Sequence, residues 1–205
     1  SGSPLPDDKR GNPCVAVIAD GRVYVVDTGQ RSSETMNQMG IDAGRIEAVL
    51  LTHFHSDHIG GLGSVNLQRW VAERSDSPLR VLGPPGVERV VNGFNEAYAL
   101  DSGYRTAHHT EALADPATSA MVAEEFPVPA AGESSLVLER DGLRVTAFEV
   151  DHSPVGPVVG FRFDYRGRSA VISADTVYSE NLVQAAKGTD LLVHDALSYE
   201  LLMMV

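Results

Sequence analysis

Residues 53–58 hold three histidines and one aspartate in six positions, in the order His-Phe-His-Ser-Asp-His, directly after the apolar run 48–51. Imidazole and carboxylate groups are the ligands that hold zinc in open, catalytic sites. A polar loop after a strand is the alternative, but burying several ionisable groups without partners is costly. The density of ligand types therefore favours a metal site and requires a fold that can bring the remaining ligands to it.

The spacing within this motif predicts a strand that turns into a helix. His53 and His55 are two residues apart, so they project from the same side of an extended segment. If a helix then begins, Asp57 and His58 turn towards a neighbouring point. One such junction can supply ligands to two adjacent cations, which together can generate a hydroxide nucleophile and stabilise the leaving oxygen.

Two further ligand types follow other predicted strands. His152 lies in the segment 150–154, and Asp175 follows the apolar run 170–172. Strand ends are the favoured ligand positions in layered α/β folds. Either residue alone is more typical of a turn or a helix cap. Together with the motif, they become candidate metal ligands.

Composition limits the remaining possibilities. The 205 residues fit one domain with a substantial core, and the net charge is −12. An acidic surface repels polyanions, and the 16 lysines and arginines form no run, so nucleic-acid binding is disfavoured. Cys14 is the only cysteine, which excludes an intramolecular disulfide and a multi-cysteine metal site. No apolar stretch reaches the length of a membrane span.

Hairpins and interleaved helices predict one layered α/β domain over residues 1–205. Asp-Gly pairs at 20–21 and 141–142 and the turn at 166–168 each separate two apolar runs, as hairpins require. The predicted helices cover 33–39, 66–74, 87–100 and 180–186. Residues 101–132 show no clear period and are interpreted as an irregular excursion beside the site.

Several motifs resemble one known family. Residues 52–61 (Thr-His-Phe-His-Ser-Asp-His-Ile-Gly-Gly) are similar to the signature of the metallo-β-lactamase superfamily. Residues 82–86, 150–157 and 192–196 resemble its ribonuclease Z-like and arylsulfatase-like branch, and the similarity covers nearly the whole chain. The resemblance implies a four-layer αββα sandwich with metals at one edge. Compared with that family, the chain looks truncated at both ends.

The resemblance also implies a ligand set for two zinc ions, with manganese or iron as alternatives. The six implied ligands are His53, His55, Asp57, His58, His152 and Asp175. His53, His55 and His152 would hold one ion, Asp57 and His58 the other, with Asp175 bridging both. Asp57 would also orient the attacking hydroxide, and Asp27 would support the cluster from behind.

Five other residues keep two interpretations each. His194 and Asp195 lie where related phosphodiesterases place a catalytic carboxylate after a histidine, so they assist the leaving group or merely tie down the chain. The pair His108-His109 contacts substrate or is exposed on the excursion. Arg162 neutralises an anionic substrate or forms a structural ion pair.

The predicted function is a metal-dependent hydrolase of a small-molecule phosphodiester or sulfate ester. Alternatives are a lactone or β-lactam hydrolase, and a metal-stabilised binding or regulatory domain without turnover. True tRNA 3′-processing ribonucleases Z resemble the chain but carry a long arm before the bridging aspartate. Only the short hairpin 164–169 occupies that place here, so this activity is predicted to be absent. A homodimer is compatible with the sequence, and the cytoplasm is the default compartment.

Overall fold

The computed structural model describes residues 9–72, 76–109 and 115–196. Its contacts divide the chain into two compact units, one extending to Phe126 and the other starting at Pro127. Each unit contains one five-stranded sheet with helices, which confirms the α/β class. That residues 1–205 form a single domain stays a prediction.

The sheet of the first unit is mostly parallel. Its strands, which neighbour one another in chain order, are β1 Val15–Ala19, β2 Arg22–Val26, β3 Ile46–Leu50, β4 Arg80–Gly83 and β5 Val122–Glu125. Only β1 and β2 pair antiparallel, as the predicted Asp-Gly hairpin. Strands β2 and β3 are buried along most of their length, as expected for parallel strands covered on both faces.

Four α-helices accompany this sheet in the described residues of the first unit: α1 Ser32–Gln38, α2 Ser56–Ile59, α3 Leu62–Trp70 and α4 Val87–His109. Apolar residues of α3 and α4, such as Leu62 and Val91, pack with Val49 and Val81 of the strands in one core. Strands β2 and β3 run parallel with Val26 opposite Leu50. Their carboxyl ends therefore share one edge, where the loop after β2 meets the histidine motif.

The sheet of the second unit is a meander with one added parallel strand. Its order is β10-β9-β8-β7-β6, built from β6 Ser135–Arg140, β7 Leu143–Glu149, β8 Val159–Tyr165, β9 Arg168–Ile172 and β10 Leu191–Val193. Strands β6 to β9 pair antiparallel and β10 pairs parallel to β9. Helix α5, Glu180–Ala185, connects β9 to β10. The carboxyl ends of β7, β9 and β10 consequently lie at the same edge.

The predicted irregular excursion 101–132 is wrong for about half of its length, and its residues 110–114 lie outside the described residues. Helix α4 continues to His109, and β5 pairs parallel to β4. The helical spacing of apolar residues stops near Tyr98 because the last turns of α4 do not pack against the core. In those turns Leu100 is 70% exposed and Tyr104 is 67% exposed. Strand β5 is a short edge strand with two glutamates, so it carries no apolar alternation to detect.

Helix α3 begins earlier than predicted, at Leu62 rather than residue 66. The glycines that precede the helix predict a loop, but in the structure they allow two stretches of backbone to pack closely. A Cβ atom on Gly61 would collide with the carbonyl oxygen of Gly29, so the chain enters the helix directly against the loop after β2. Among the described residues, none of the helices combines the length and hydropathy that crossing a membrane requires.

Candidate metal centre

The histidine motif occupies the predicted junction between a strand and a helix. Strand β3 ends at Leu50 and α2 begins at Ser56. His53 is 0% exposed, His58 1% and Asp57 5%, whereas His55 faces solvent. Three ionisable side chains are thus buried within six residues, which is stable only where each has a partner.

The three imidazole rings converge. Nε2 of His53 lies 3.0 Å from Nδ1 of His55, and the ring centroids of His53 and His58 are 4.1 Å apart. With Zn–N distances of about 2.0–2.1 Å and tetrahedral angles, two nitrogens on one zinc lie about 3.3 Å apart. The His53–His55 pair therefore fits a shared cation after a shift of a few tenths of an ångström.

A hydrogen-bond relay from Asp27 sets the tautomers of two of these rings. Oδ2 of Asp27 accepts from the Thr52 hydroxyl at 2.8 Å and lies 2.8 Å from Nδ1 of His58. Because the Thr52 proton points to Asp27, its oxygen can only accept from Nδ1 of His53, 3.0 Å away. Both Nδ1 atoms then carry the proton, so the lone pair of each ring is on Nε2, the nitrogen that a metal would bind.

The loop after β2 holds Asp27 in place. Asp27 has a φ of 58°, a conformation that aspartate tolerates better than most residues. The amide of Thr28 donates to the His58 carbonyl at 2.7 Å, and the amide of Gly61 donates to the Thr28 carbonyl at 2.7 Å. A side chain on Gly29 would overlap the backbone oxygen of Asp57. The loop and α2 therefore form one rigid backbone support for the histidines.

Asp57 lies beside the metal-facing edge of His58. Its Oδ2 is 3.9 Å from Nε2 of His58, the ring nitrogen opposite the one bound by Asp27. Carboxylate oxygen and imidazole nitrogen at this separation can bind the same cation or a water on it. The ligand role of Asp57 stays a prediction.

In the second unit, His152 and Asp175 lie after β7 and β9, as predicted. The amide of Val177 and the hydroxyl of Thr176 both donate to the Asp151 carbonyl, at 2.9 and 3.1 Å. This links the loop that carries His152 to the loop that carries Asp175. Both side chains are half-buried. Their ligand roles stay predictions.

The His194-Asp195 pair follows β10 at the same edge. Nδ1 of His194 lies 2.9 Å from Oδ1 of Asp195, and the Asp195 amide donates to Oγ of Ser173 at 3.2 Å. Partial burial, together with the neighbouring Asp175 carboxylate, raises the pKa of Asp195 above its usual value. The pair is therefore fixed beside a predicted metal ligand, and its catalytic role stays a prediction.

Arg162 makes structural contacts. Its guanidinium donates to the Asp164 carboxylate at 2.9 Å and to the carbonyls of Ala185 and Lys187 at 2.7 and 3.3 Å. It thus binds the carboxyl end of α5, where helix carbonyls need partners. His108 is exposed on α4, and the side chain of His109 lies outside the described residues, so both interpretations of that pair stay open.

Sequence reasoning missed Thr52. Its hydroxyl transmits the orientation set by Asp27 to His53, and its amide donates to Oδ1 of Asp27 at 2.9 Å. The available signal was a hydroxyl residue between a buried strand and the first histidine. Its role depends on the register of β2 and β3, which local patterns do not reveal.

Comparisons with known proteins bear on the fold and the family. The sequence profile of the Metallo-beta-lactamase superfamily matches residues 8–203. A ribonuclease Z of Mycobacterium avium (strain 104) is 39% identical over 196 residues, covering 95% of this chain and 67% of that protein. The crystal structure of the short form of human tRNase Z (ELAC1) superposes with a TM-score of 0.75 at 24% identity, covering 99% of this chain and 78% of that one. These matches confirm the predicted family resemblance and its α/β fold.

These matches contradict two predictions. The first is that the chain is not a ribonuclease Z, and the second is that its substrate is a small-molecule ester and not a nucleic acid. The ribonuclease Z of Mycobacterium bovis (strain BCG / Pasteur 1173P2), 37% identical, aligns over 207 positions that cover 100% of this chain and 71% of that protein. The aligned part of that relative is so close in length to the 205 residues here that it can contain no long insertion. The short hairpin 164–169 is therefore no evidence against this activity. Net charge, being a sum over the chain, says little about local contacts with RNA.

Proposed function

The chain belongs to the metallo-β-lactamase superfamily of hydrolases, and on that premise we propose that it is a metal-dependent phosphodiesterase that cleaves RNA as ribonucleases Z do. The observation that carries the proposal is the relay through which Asp27 and Thr52 direct the Nε2 atoms of His53 and His58 away from their supporting loop. Relatives named ribonuclease Z, at 37–39% identity, support a phosphodiester over a sulfate ester.

The proposed cofactor is a pair of zinc ions held by six side chains: His53, His55, Asp57, His58, His152 and Asp175. Neutral imidazoles and carboxylates suit zinc, and no other cysteine could join the single Cys14 in a thiolate site. When bound, such a pair lowers the pKa of water and offsets negative charge that develops on phosphate. Family membership and the positions of the residues at strand ends support this ligand set.

Two protein groups would handle protons during the reaction. Asp57 is buried and ionisable beside His58, so its carboxylate can accept a hydrogen bond from the attacking water and orient it towards phosphorus. Asp195 lies 2.9 Å from His194 and is partly buried, so this pair could hold the proton that a leaving oxygen needs. His194, within 2.9 Å, would restore the proton afterwards.

The test is hydrolysis by the purified protein of a tRNA precursor with a 3′ extension, of bis(p-nitrophenyl) phosphate and of p-nitrophenyl sulfate. We expect cleavage of both phosphodiesters, no sulfate release, and loss of activity on chelation that added zinc restores. His53→Ala should lower kcat at least 100-fold while the circular dichroism spectrum is unchanged. Tight zinc binding without turnover would instead favour the binding-domain alternative, and hydrolysis of a chromogenic β-lactam alone would favour the lactamase alternative.

A further inference from the structure

Two apolar residues are exposed directly after the predicted ligand Asp175. Tyr178 is 79% exposed, the largest fraction among the large hydrophobic residues that the structure describes, and its neighbour Val177 is 61% exposed. Single exposed apolar residues are common on protein surfaces. An exposed aromatic ring three residues after a predicted metal ligand, on an anchored loop, suggests a contact with substrate.

The backbone on both sides of Tyr178 is anchored. Val177 donates its amide to the Asp151 carbonyl at 2.9 Å, one residue before His152. On the other side, Oγ of Ser179 accepts from the Leu182 amide at 3.4 Å and caps α5. The residue between these anchors therefore projects from a defined position in the second unit.

The ring itself is also restrained. Its hydroxyl donates to Oε2 of Glu180 at 2.8 Å. This bond raises the pKa of the Tyr178 phenol and lowers the pKa of Glu180, so the donor stays protonated and the acceptor charged through neutral pH. A tyrosine held in this way loses little conformational entropy when a flat group packs on its face.

We propose that Tyr178 is a stacking platform for a nucleobase of the RNA substrate next to the cleaved phosphodiester, with Val177 extending the apolar surface. This inference rests on the proposed function. Base–aromatic stacking tolerates any sequence and contributes about 1–3 kcal/mol per base.

The experiment measures binding separately from cleavage. The zinc-loaded protein is titrated into fluorescent RNA that carries a non-hydrolysable phosphonate linkage at the cleaved position, and anisotropy gives Kd. A second RNA series lacks one base at a time on either side of that linkage. Three variants are compared with the wild type: Tyr178→Ala, Tyr178→Phe and, as a matched control, Tyr104→Ala, which removes a tyrosine that is 67% exposed on α4.

We expect the wild type to bind the intact RNA about tenfold more tightly than one particular abasic RNA, since about 1.4 kcal/mol corresponds to a factor of ten and lies within the stacking range. Tyr178→Ala should bind both RNAs equally weakly, with unchanged zinc content. Tyr104→Ala should behave as the wild type does, and Tyr178→Phe should keep the discrimination but bind somewhat more weakly, because its ring loses the bond to Glu180. Equal discrimination by Tyr178→Ala and wild type would overturn the inference, as would a loss of zinc from that variant.

The same experiment separates the two proposals. If the wild type cleaves tRNA precursor but no abasic position affects binding through Tyr178, the proposed function stands and the stacking platform is overturned. If the wild type shows the Tyr178-dependent discrimination but does not cleave RNA, the stacking platform stands and the proposed hydrolysis is overturned. Failure to bind RNA would overturn both.

Discussion

Oδ2 of Asp27 lies 2.8 Å from Nδ1 of His58, and both residues are at least 95% buried. The contact joins the loop after β2 to His58, the last residue of the histidine motif. A carboxylate in this position raises the basicity of the imidazole and fixes which nitrogen faces the metal. Asp27 therefore acts on the proposed zinc site through His58 and, by way of Thr52, through His53.

Asp27→Asn should lower zinc affinity about 10- to 100-fold, the range seen for partners of metal-binding histidines. The amide replaces one acceptor oxygen with a donor, whereas both oxygens of Asp27 accept in the native structure. Competition with a chromophoric chelator measures the affinity. Asp20→Asn is the matched control, because Asp20 also has a positive φ, of 50°, but lies exposed in the β1–β2 turn. Equal affinities for the two variants would disprove the role of Asp27.

Gly29→Ala should reduce the free energy of unfolding by about 1–3 kcal/mol, as overpacking does. The new methyl group would overlap the carbonyl oxygen of Asp57 and Cβ of Asn12. Gly103→Ala is the control, because nothing lies within 4 Å of a Cβ at that helical position, and it should stabilise by up to about 1 kcal/mol. Urea unfolding measures both. If the Gly29→Ala protein is as stable as the wild type, the loop after β2 can shift to accept the methyl group and is not rigid.

Arg162→Gln should lower stability by about 1–2 kcal/mol and leave RNA cleavage per folded molecule within twofold of the wild type. The side chain loses its bonds to Asp164 and to the carboxyl end of α5, but touches no predicted ligand in the contacts described for the second unit. Parallel urea unfolding and cleavage assays measure the two effects. A large fall in cleavage at unchanged stability would instead place Arg162 on the substrate.

Cys14 should react slowly with iodoacetamide in the folded protein at pH 7.5. Burial raises the pKa of its thiol above the usual 9.0, only partly opposed by a hydrogen bond with Ser32. Since the folded pKa lies above the unfolded one, this thiol's contribution to stability is present below about pH 9 and is lost as pH rises through the folded value. Mass spectrometry of alkylation in buffer and in urea checks this. Equal rates in both at pH 7.5 would contradict it.

Local patterns predicted the elements that carry the site. The Asp20-Gly21 turn has positive φ at both positions, 50° and 73°, as the hairpin signal requires. The motif lies at the end of β3, and His152 and Asp175 follow β7 and β9. In each case an apolar run and its polar boundary are adjacent in sequence, so the information is local.

The features that sequence reasoning missed or predicted wrongly depended on information that local patterns lack. The relay from Asp27 through Thr52 needs the pairing of β2 with β3, which are separated by a helix. Strand β5 is defined by its partner β4 and not by its own residues. The exclusion of nucleic acid used net charge and the length of one hairpin, and the ribonuclease Z relatives contradict it.

The most direct measurement is the zinc content per chain of the wild type and of His53→Ala, by mass spectrometry of purified, dialysed protein. We predict about two zinc ions in the wild type and at most about one in the variant, because His53 is the fully buried ligand around which the motif converges. A wild type that retains no metal after reconstitution, or a variant that retains the wild-type content, would contradict a metal centre built on these histidines.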